Sequence, residues 1–247
     1  MPTAYTDVGS GPPLVLLHAF PLDRRMWRPL AGSRLLAPDL PGFGDAARTV
    51  PSIDAMADVV AEFIRAVVGQ TPVALGGCSM GGYVALAFAR KYPERLRKLI
   101  LIDTKAEADD AAARANRDKQ LAEIASRTLT AAALIAGMLP KMLATPEAVE
   151  EVRALGGAQS LEGIAAGIRA LRDRPDASDG LGNIRVPTLV VVGEYDTITP
   201  ASAARALHER IAGSRLAVVP GAAHLSNLDR PDAFTTLLRE FLAEATP

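Results

Sequence analysis

Six short apolar runs lie between the glycines and prolines of this chain: Leu14–Leu17, Leu35–Ala37, Val73–Leu75, Leu99–Ile102, Leu189–Val192 and Leu216–Val219. None alternates apolar with polar residues. A strand with one face in water does alternate, so continuous Val, Ile and Leu runs of this length describe strands covered on both faces. Between the runs lie stretches of helical pattern at Ile53–Val68, Met80–Tyr92, Ala201–Ile211 and Ala233–Ala245, with Thr199-Pro200 reading as a capped start that has proline at the first helical position. Strands alternating with helices in this way predict an α/β fold built on a mostly parallel, doubly wound sheet. At 247 residues the chain can bury roughly 70–75% of its unfolded surface around one sizeable core.

One segment breaks the rhythm. From about residue 106 to residue 183 no strand-like run occurs, and Ala106–Ser126, Leu129–Leu143, Pro146–Gly156 and Leu161–Arg172 read as four helices between Pro and Gly signals. The expectation is a core of residues 1–103 and 184–247, with 104–183 inserted as a helical cap over one edge of the sheet. Leu134, Met138 and Met142 fall in the second of these helices, and a cluster of them is expected to line a substrate cavity. Any one of them at helical spacing is more often ordinary core. Trp27, the one tryptophan, reads equally as a wall of that cavity or as a packing anchor.

Charge and cysteine content narrow the function classes. Twenty-seven basic residues balance 28 acidic ones, for a net charge of −1, which gives no electrostatic case for a nucleic acid or an anionic membrane. A small molecule is the expected partner. The single cysteine, Cys78, forms no internal disulfide, as suits a reducing compartment. Residues 1–11 lack the basic start and apolar stretch of a secretory leader, so cytoplasmic residence is expected. The apolar runs are far shorter than the roughly 18 residues of a spanning helix. The histidines lack ligand spacing and there is no C-x-x-C, so no metal and no cofactor is expected.

The run Val73–Leu75 leads straight into Gly77-Cys78-Ser79-Met80-Gly81, a G-x-S-x-G pentapeptide, and a mostly apolar helical stretch follows. A serine hydroxyl attacks only if the backbone presents it and a base takes its proton, and a sharp strand-to-helix turn flanked by glycines supplies the presentation. No lysine follows as in a P-loop, and there is no G-x-G-x-x-G. The base is found by elimination among three histidines. His18 ends the first apolar run and suits a structural role in the loop that follows. His208 lies inside a helical stretch. His224 sits in the loop just after the last strand, at the carboxyl edge of the sheet where ligands collect in such folds. A carboxylate must then orient the imidazole. Asp196, at the end of the penultimate strand, is favoured over Glu194 and Asp103. Cys78 and Ser79 are adjacent and point in different directions, so Cys78 reads as a small buried residue.

Several phrases together resemble the α/β-hydrolase superfamily over almost the whole chain: Leu16-Leu-His-Ala-Phe-Pro, Asp39-Leu-Pro-Gly-Phe-Gly, Gly193-Glu-Tyr-Asp-Thr-Ile-Thr-Pro and Gly221-Ala-Ala-His-Leu-Ser-Asn-Leu. The order Ser79, Asp196, His224 is that of the superfamily. Within it, Thr-Ile-Thr-Pro and Ala-Ala-His-Leu-Ser-Asn-Leu look most like the branch of 3-oxoadipate enol-lactonases, small esterases and cofactor-free haloperoxidases. The resemblance implies an α/β-hydrolase fold and cleavage of a carboxylic ester or lactone through an acyl-serine. It also implies an oxyanion hole made by the backbone N–H groups of Phe20 and Met80. Perhydrolysis and carbon–carbon bond hydrolysis use the same residues, and a ligand-binding receptor with incidental turnover is the reading from another class.

Overall fold

The computed structural model describes residues 4–46 and 48–244. Among them seven strands form one sheet: β1 (Tyr5–Val8), β2 (Pro13–Leu17), β3 (Arg34–Pro38), β4 (Val73–Cys78), β5 (Leu96–Ile102), β6 (Thr188–Gly193) and β7 (Arg215–Val219). The spatial order is β1-β3-β2-β4-β5-β6-β7. β1 runs antiparallel to β3 and every other pairing is parallel. The chain moves from β2 outward to β3, then returns to lay β4 on the other side of β2. That reversal is the switch point at which the loops after β2 and β4 part to opposite faces and leave a crevice.

Helices α1 (Ile53–Val68), α2 (Met80–Lys91) and α7 (Ala201–Arg210) bury Val60, Phe63, Val84, Phe88 and Leu207 in a cluster that also holds Val15, Leu75, Leu99 and Val190. On the other face, α9 (Pro231–Ala243) buries Phe234, Leu238 and Phe241 in a cluster with Leu14, Leu35, Ile100 and Val191. Consecutive strand residues thus divide between two cores. This explains the unalternated runs of β2 to β6, whose two faces are dry, whereas β7 at the sheet edge departs from the expectation, with Leu216 and Ala217 half-buried and Val218 exposed.

Between β5 and β6 lie α3 (Ala111–Ala125), α4 (Ala131–Met142), α5 (Val149–Gly157) and α6 (Leu161–Arg172). They contribute to the same two clusters: Leu134, Ile164 and Ile168 to the first, Ile135, Leu139 and Val152 to the second. Side chains of Asp110, Thr130 and Ser160 accept hydrogen bonds from N–H groups three residues on and cap α3, α4 and α6. The cap at Asp110 is why α3 starts at Ala111 and not at Ala106.

Three further boundaries depart from the sequence reading. β1 has no apolar run to announce it, being an edge strand whose residues are only half-buried or exposed. β5 begins three residues before Leu99, because Arg97 and Lys98 interrupt the apolar pattern without interrupting the ladder. A one-turn helix, α8 (Ser226–Asp229), follows His224, too short to leave a periodicity.

Candidate active site

Ser79 joins β4 to α2 with φ 53° and ψ −112°. A non-glycine residue there carries strain of about 1–3 kcal/mol and persists only if its surroundings enforce it. They do: Ser79 N–H donates to the Ile102 carbonyl at 2.9 Å, and its own carbonyl accepts from Gly82 N–H at 2.9 Å and from Thr104 Oγ1 at 2.9 Å. The flanking glycines are required by contact, since a Cβ at Gly77 would overlap the Gly81 carbonyl and one at Gly81 the Leu17 carbonyl. The second contact also seats the first turn of α2 directly on the loop after β2.

The result is a half-buried serine with its neighbour turned inward. Cys78 is wholly buried in the cluster under α9, with its thiol 3.8 Å from the His224 carbonyl. Burial, with the Asp103 and Asp196 carboxylates nearby, pushes that thiol well above its ordinary pKa. A reactive thiolate is thereby disfavoured.

His224 Nε2 lies 2.8 Å from Ser79 Oγ, and His224 Nδ1 lies 2.8 Å from Asp196 Oδ2. A carboxylate only accepts, so Nδ1 carries the proton and Nε2 presents a lone pair to the serine hydroxyl. Asp196 is itself held: Oδ1 accepts from Ile198 N–H at 2.8 Å and Thr199 N–H at 2.9 Å, and Oδ2 from Thr199 Oγ1 at 2.7 Å. Burial pushes its pKa up, but the His224 contact and the Thr199 donors outweigh it, and the net shift is downward. Thr199 therefore does not cap α7. Its hydroxyl serves the carboxylate, and Pro200 occupies the cap position with no side-chain hydrogen bond.

The other candidates fall elsewhere. Glu194 is exposed and accepts from Gly221 N–H at 2.8 Å, tying two loops together away from the imidazole. Asp103 is wholly buried, bonded to Gly193 and Ser226 and not to the ring of His224. His18 is wholly buried, with Nε2 accepting from Leu40 N–H at 2.9 Å and Nδ1 donating to the Ala19 carbonyl at 3.0 Å. Its burial pushes the imidazole pKa down. His208 bonds to Ser214 Oγ at 2.9 Å on α7. Among the described residues, Phe20 N–H has no acceptor within the protein. Met80 is the first residue of α2, where N–H groups have no intrahelical partner.

Of the residues expected around a cavity, Trp27, Leu134 and Met142 are buried, and Trp27 stacks on Phe234 at 6.4 Å between ring centres. Met138 is half-buried and packs against both clusters. A cleft of about 580 Å³ opens elsewhere, beside Tyr83, Leu86, Lys105, Arg174 and Leu181 on the flank of α2. None of Ser79, Asp196 or His224 lines it. Concavity without a reacting group is a weaker marker than the hydrogen-bonded chain at the switch point. Among the described residues no group of three or more His, Cys, Asp or Glu is placed to hold a metal ion, and no helix is long and apolar enough to cross a membrane.

Three residues around the site escaped the sequence reading: Thr199, Ser226 and Asp229. Asp229 accepts from Ala223 N–H at 2.7 Å, from Ala144 N–H at 2.9 and 3.0 Å and from Thr145 N–H at 3.0 Å, so it pins the His224 loop to the α4–α5 junction. The one available signal was the density of polar residues in Ser226-Asn-Leu-Asp directly after a histidine at a strand end.

The profile of the alpha/beta hydrolase family matches residues 14–237. The chain belongs to that family. Among alpha/beta hydrolases it is 33% identical to a pimeloyl-[acyl-carrier protein] methyl ester esterase of Neisseria meningitidis, over 92% of each chain. Its fold superposes on a thermophilic esterase from Thermogutta terrifontis with a TM-score of 0.90 at 36% identity, covering 97% of this chain and 92% of that one. An enol-lactonase from Burkholderia xenovorans LB400 superposes with a TM-score of 0.87 at 26% identity, covering 98% and 96%. Ester hydrolysis is the activity that these relatives support for this alpha/beta hydrolase.

Proposed function

We propose that the protein hydrolyses a carboxylic ester or lactone with Ser79 as nucleophile, His224 as base and Asp196 as the group that orients it. The observation that carries this reading is the unbroken chain Ser79 Oγ, His224 Nε2, His224 Nδ1, Asp196 Oδ2, with 2.8 Å at both of its hydrogen bonds. As Ser79 Oγ attacks the carbonyl carbon, its proton passes to Nε2, and the imidazolium is stabilised by the Asp196 carboxylate. The N–H groups of Phe20 and Met80 receive the developing oxyanion, each worth roughly a hundredfold or more in rate. Collapse expels the alkoxide, which leaves with the proton from Nε2. Water then repeats the sequence on the acyl-serine and regenerates the hydroxyl.

Residues 104–183 serve in this reading as the cap over the 1–103 and 184–247 core, with Trp27, Leu134, Met138 and Met142 as the candidate lining of the substrate cavity. The relatives, a methyl ester esterase and an enol-lactonase, set the substrate range to test first. Wild type is expected to turn over p-nitrophenyl acetate and butyrate and to label with a fluorophosphonate. Ser79→Ala is expected to lose labelling and to lose turnover by about 10⁴-fold or more. Undiminished turnover in that variant removes Ser79 from the reaction, and slow single-turnover behaviour in wild type favours a receptor. Adding an enol-lactone to the panel separates a lactonase from an esterase.

A further inference from the structure

At the end of β5, Asp103 is held at φ 45°, a left-handed conformation rare for residues other than glycine, and its N–H donates to the Val191 carbonyl at 2.8 Å. Its carboxylate is wholly buried and reaches two loops at once. Oδ1 accepts from Gly193 N–H at 2.8 Å, at the end of β6 where the turn to Asp196 begins. Oδ2 accepts from Ser226 N–H at 3.1 Å and from Ser226 Oγ at 2.6 Å, two residues after His224. Three donors on one buried carboxylate are more than chain reversal at a strand end requires. We propose that Asp103 is a positioning residue that sets His224 against Ser79 by clamping the Asp196 loop and the His224 loop to the strand beside the nucleophile, and that its negative charge supports the imidazolium formed in the reaction.

This inference rests on the triad reading above. The groups facing the carboxylate are His224 and Asp196 from the two loops, with the Cys78 thiol on β4. Burial pushes Asp103 up to about 7, with Asp196 adding to the rise and His224 and the Ser226 and Gly193 hydrogen bonds opposing it. Asp196 has one donor set and orients Nδ1 directly, whereas Asp103 touches no ring atom and acts through Gly193 and Ser226.

The test compares wild type with Asp103→Asn, Ser226→Ala, Ser79→Ala and Asp196→Asn as full-length proteins, by p-nitrophenyl butyrate kinetics from pH 5 to 9 and by the rate of fluorophosphonate labelling. Asp103→Asn is expected to lower kcat by roughly 10- to 100-fold with KM nearly unchanged, as displacement of a base by a fraction of an ångström does. It is also expected to move the acid limb of kcat/KM to lower pH, because the anion facing the imidazolium is gone. Ser226→Ala removes one donor and keeps the charge, so it is expected to lower kcat less and leave the acid limb where it is. If Asp103→Asn fails to fold, wild-type kcat in Ser226→Ala overturns the clamp by itself. An inert Ser79→Ala together with normal kcat and an unmoved acid limb in Asp103→Asn overturns the Asp103 role and leaves the triad standing. Undiminished Ser79→Ala turnover overturns the reading beneath it, and the Asp103 role with it.

Discussion

A carboxylate can orient an imidazole only if its own lone pairs leave it one way to point, and Asp196 meets that condition through Ile198, Thr199 and the Thr199 hydroxyl. An asparagine at the same site fits the space. With its amide nitrogen toward His224, however, the imidazole must accept at Nδ1 and carry its proton at Nε2, facing the Ser79 oxygen as a donor. Asp196→Asn is therefore expected to lower kcat by about 10⁴-fold while melting temperature stays close to wild type, measured by ester kinetics and thermal unfolding. A near-normal kcat removes the orienting role from Asp196. Ser79 and His224 were readable as candidates because so few residues compete for their jobs. Thr199 was not, since a threonine before a proline looks like a helix cap until the carboxylate that captures its hydroxyl is in place.

At the scale of elements, the end of α9 is decided by a residue from another strand. Lys98 on β5 is wholly buried, and its ammonium donates to the carbonyls of Phe241 at 2.5 Å and Glu244 at 2.7 Å, while lying 4.9 Å from the centre of the Phe241 ring. Desolvation, with the neighbouring Arg97, pulls its pKa down. The terminal carbonyls and the negative end of the helix dipole oppose this and make the charged form tolerable. Lys98→Met keeps the stem and strands those carbonyls, so it is expected to cost about 1–3 kcal/mol. Read by thermal unfolding, that is a loss of several degrees in a chain of this size. Unchanged melting would mean that water replaces the ammonium at no cost. The same lysine hid the start of β5, because a buried cation interrupts an apolar run as fully as a surface one does.

Over the whole molecule, four buried carboxylates with displaced pKa values fall into two groups with opposite pH signatures. Asp23 and Asp109 are drawn below their ordinary pKa against the pull of burial by Arg25, and by Arg174 and Arg117, and Asp196 by His224 and Thr199. Their contribution is present above the unfolded carboxylate value of about 4 and is lost as pH falls through their lower folded values. Asp103 is raised to about 7, so the folded state holds its proton more tightly than the unfolded chain does. Its contribution is complete below about 4 and is lost as pH rises through about 7. Wild type is therefore expected to lose stability relative to Asp103→Asn between about pH 4 and pH 7 in denaturant titrations, with a flat difference on either side. A difference that does not change with pH would remove Asp103 from the buried titrating groups. The same carboxylate that clamps the two loops thus carries a stability cost at the pH where an ester hydrolase works, a trade common at functional sites.

The sequence alone determined the doubly wound sheet and the strand-turn-serine-helix unit, because both follow from local causes: which residues are dry on both faces, and where a backbone turn tolerates no Cβ. It also narrowed the candidate base to one histidine in three, by chain order and strand ends. Only the tertiary structure decided what each polar side chain is for. The clamp at Asp103 and the pinning of the His224 loop to Ala144 and Thr145 by Asp229 join residues far apart in the chain. A buried donor seeks the nearest buried acceptor in space, and periodicity carries no record of that distance.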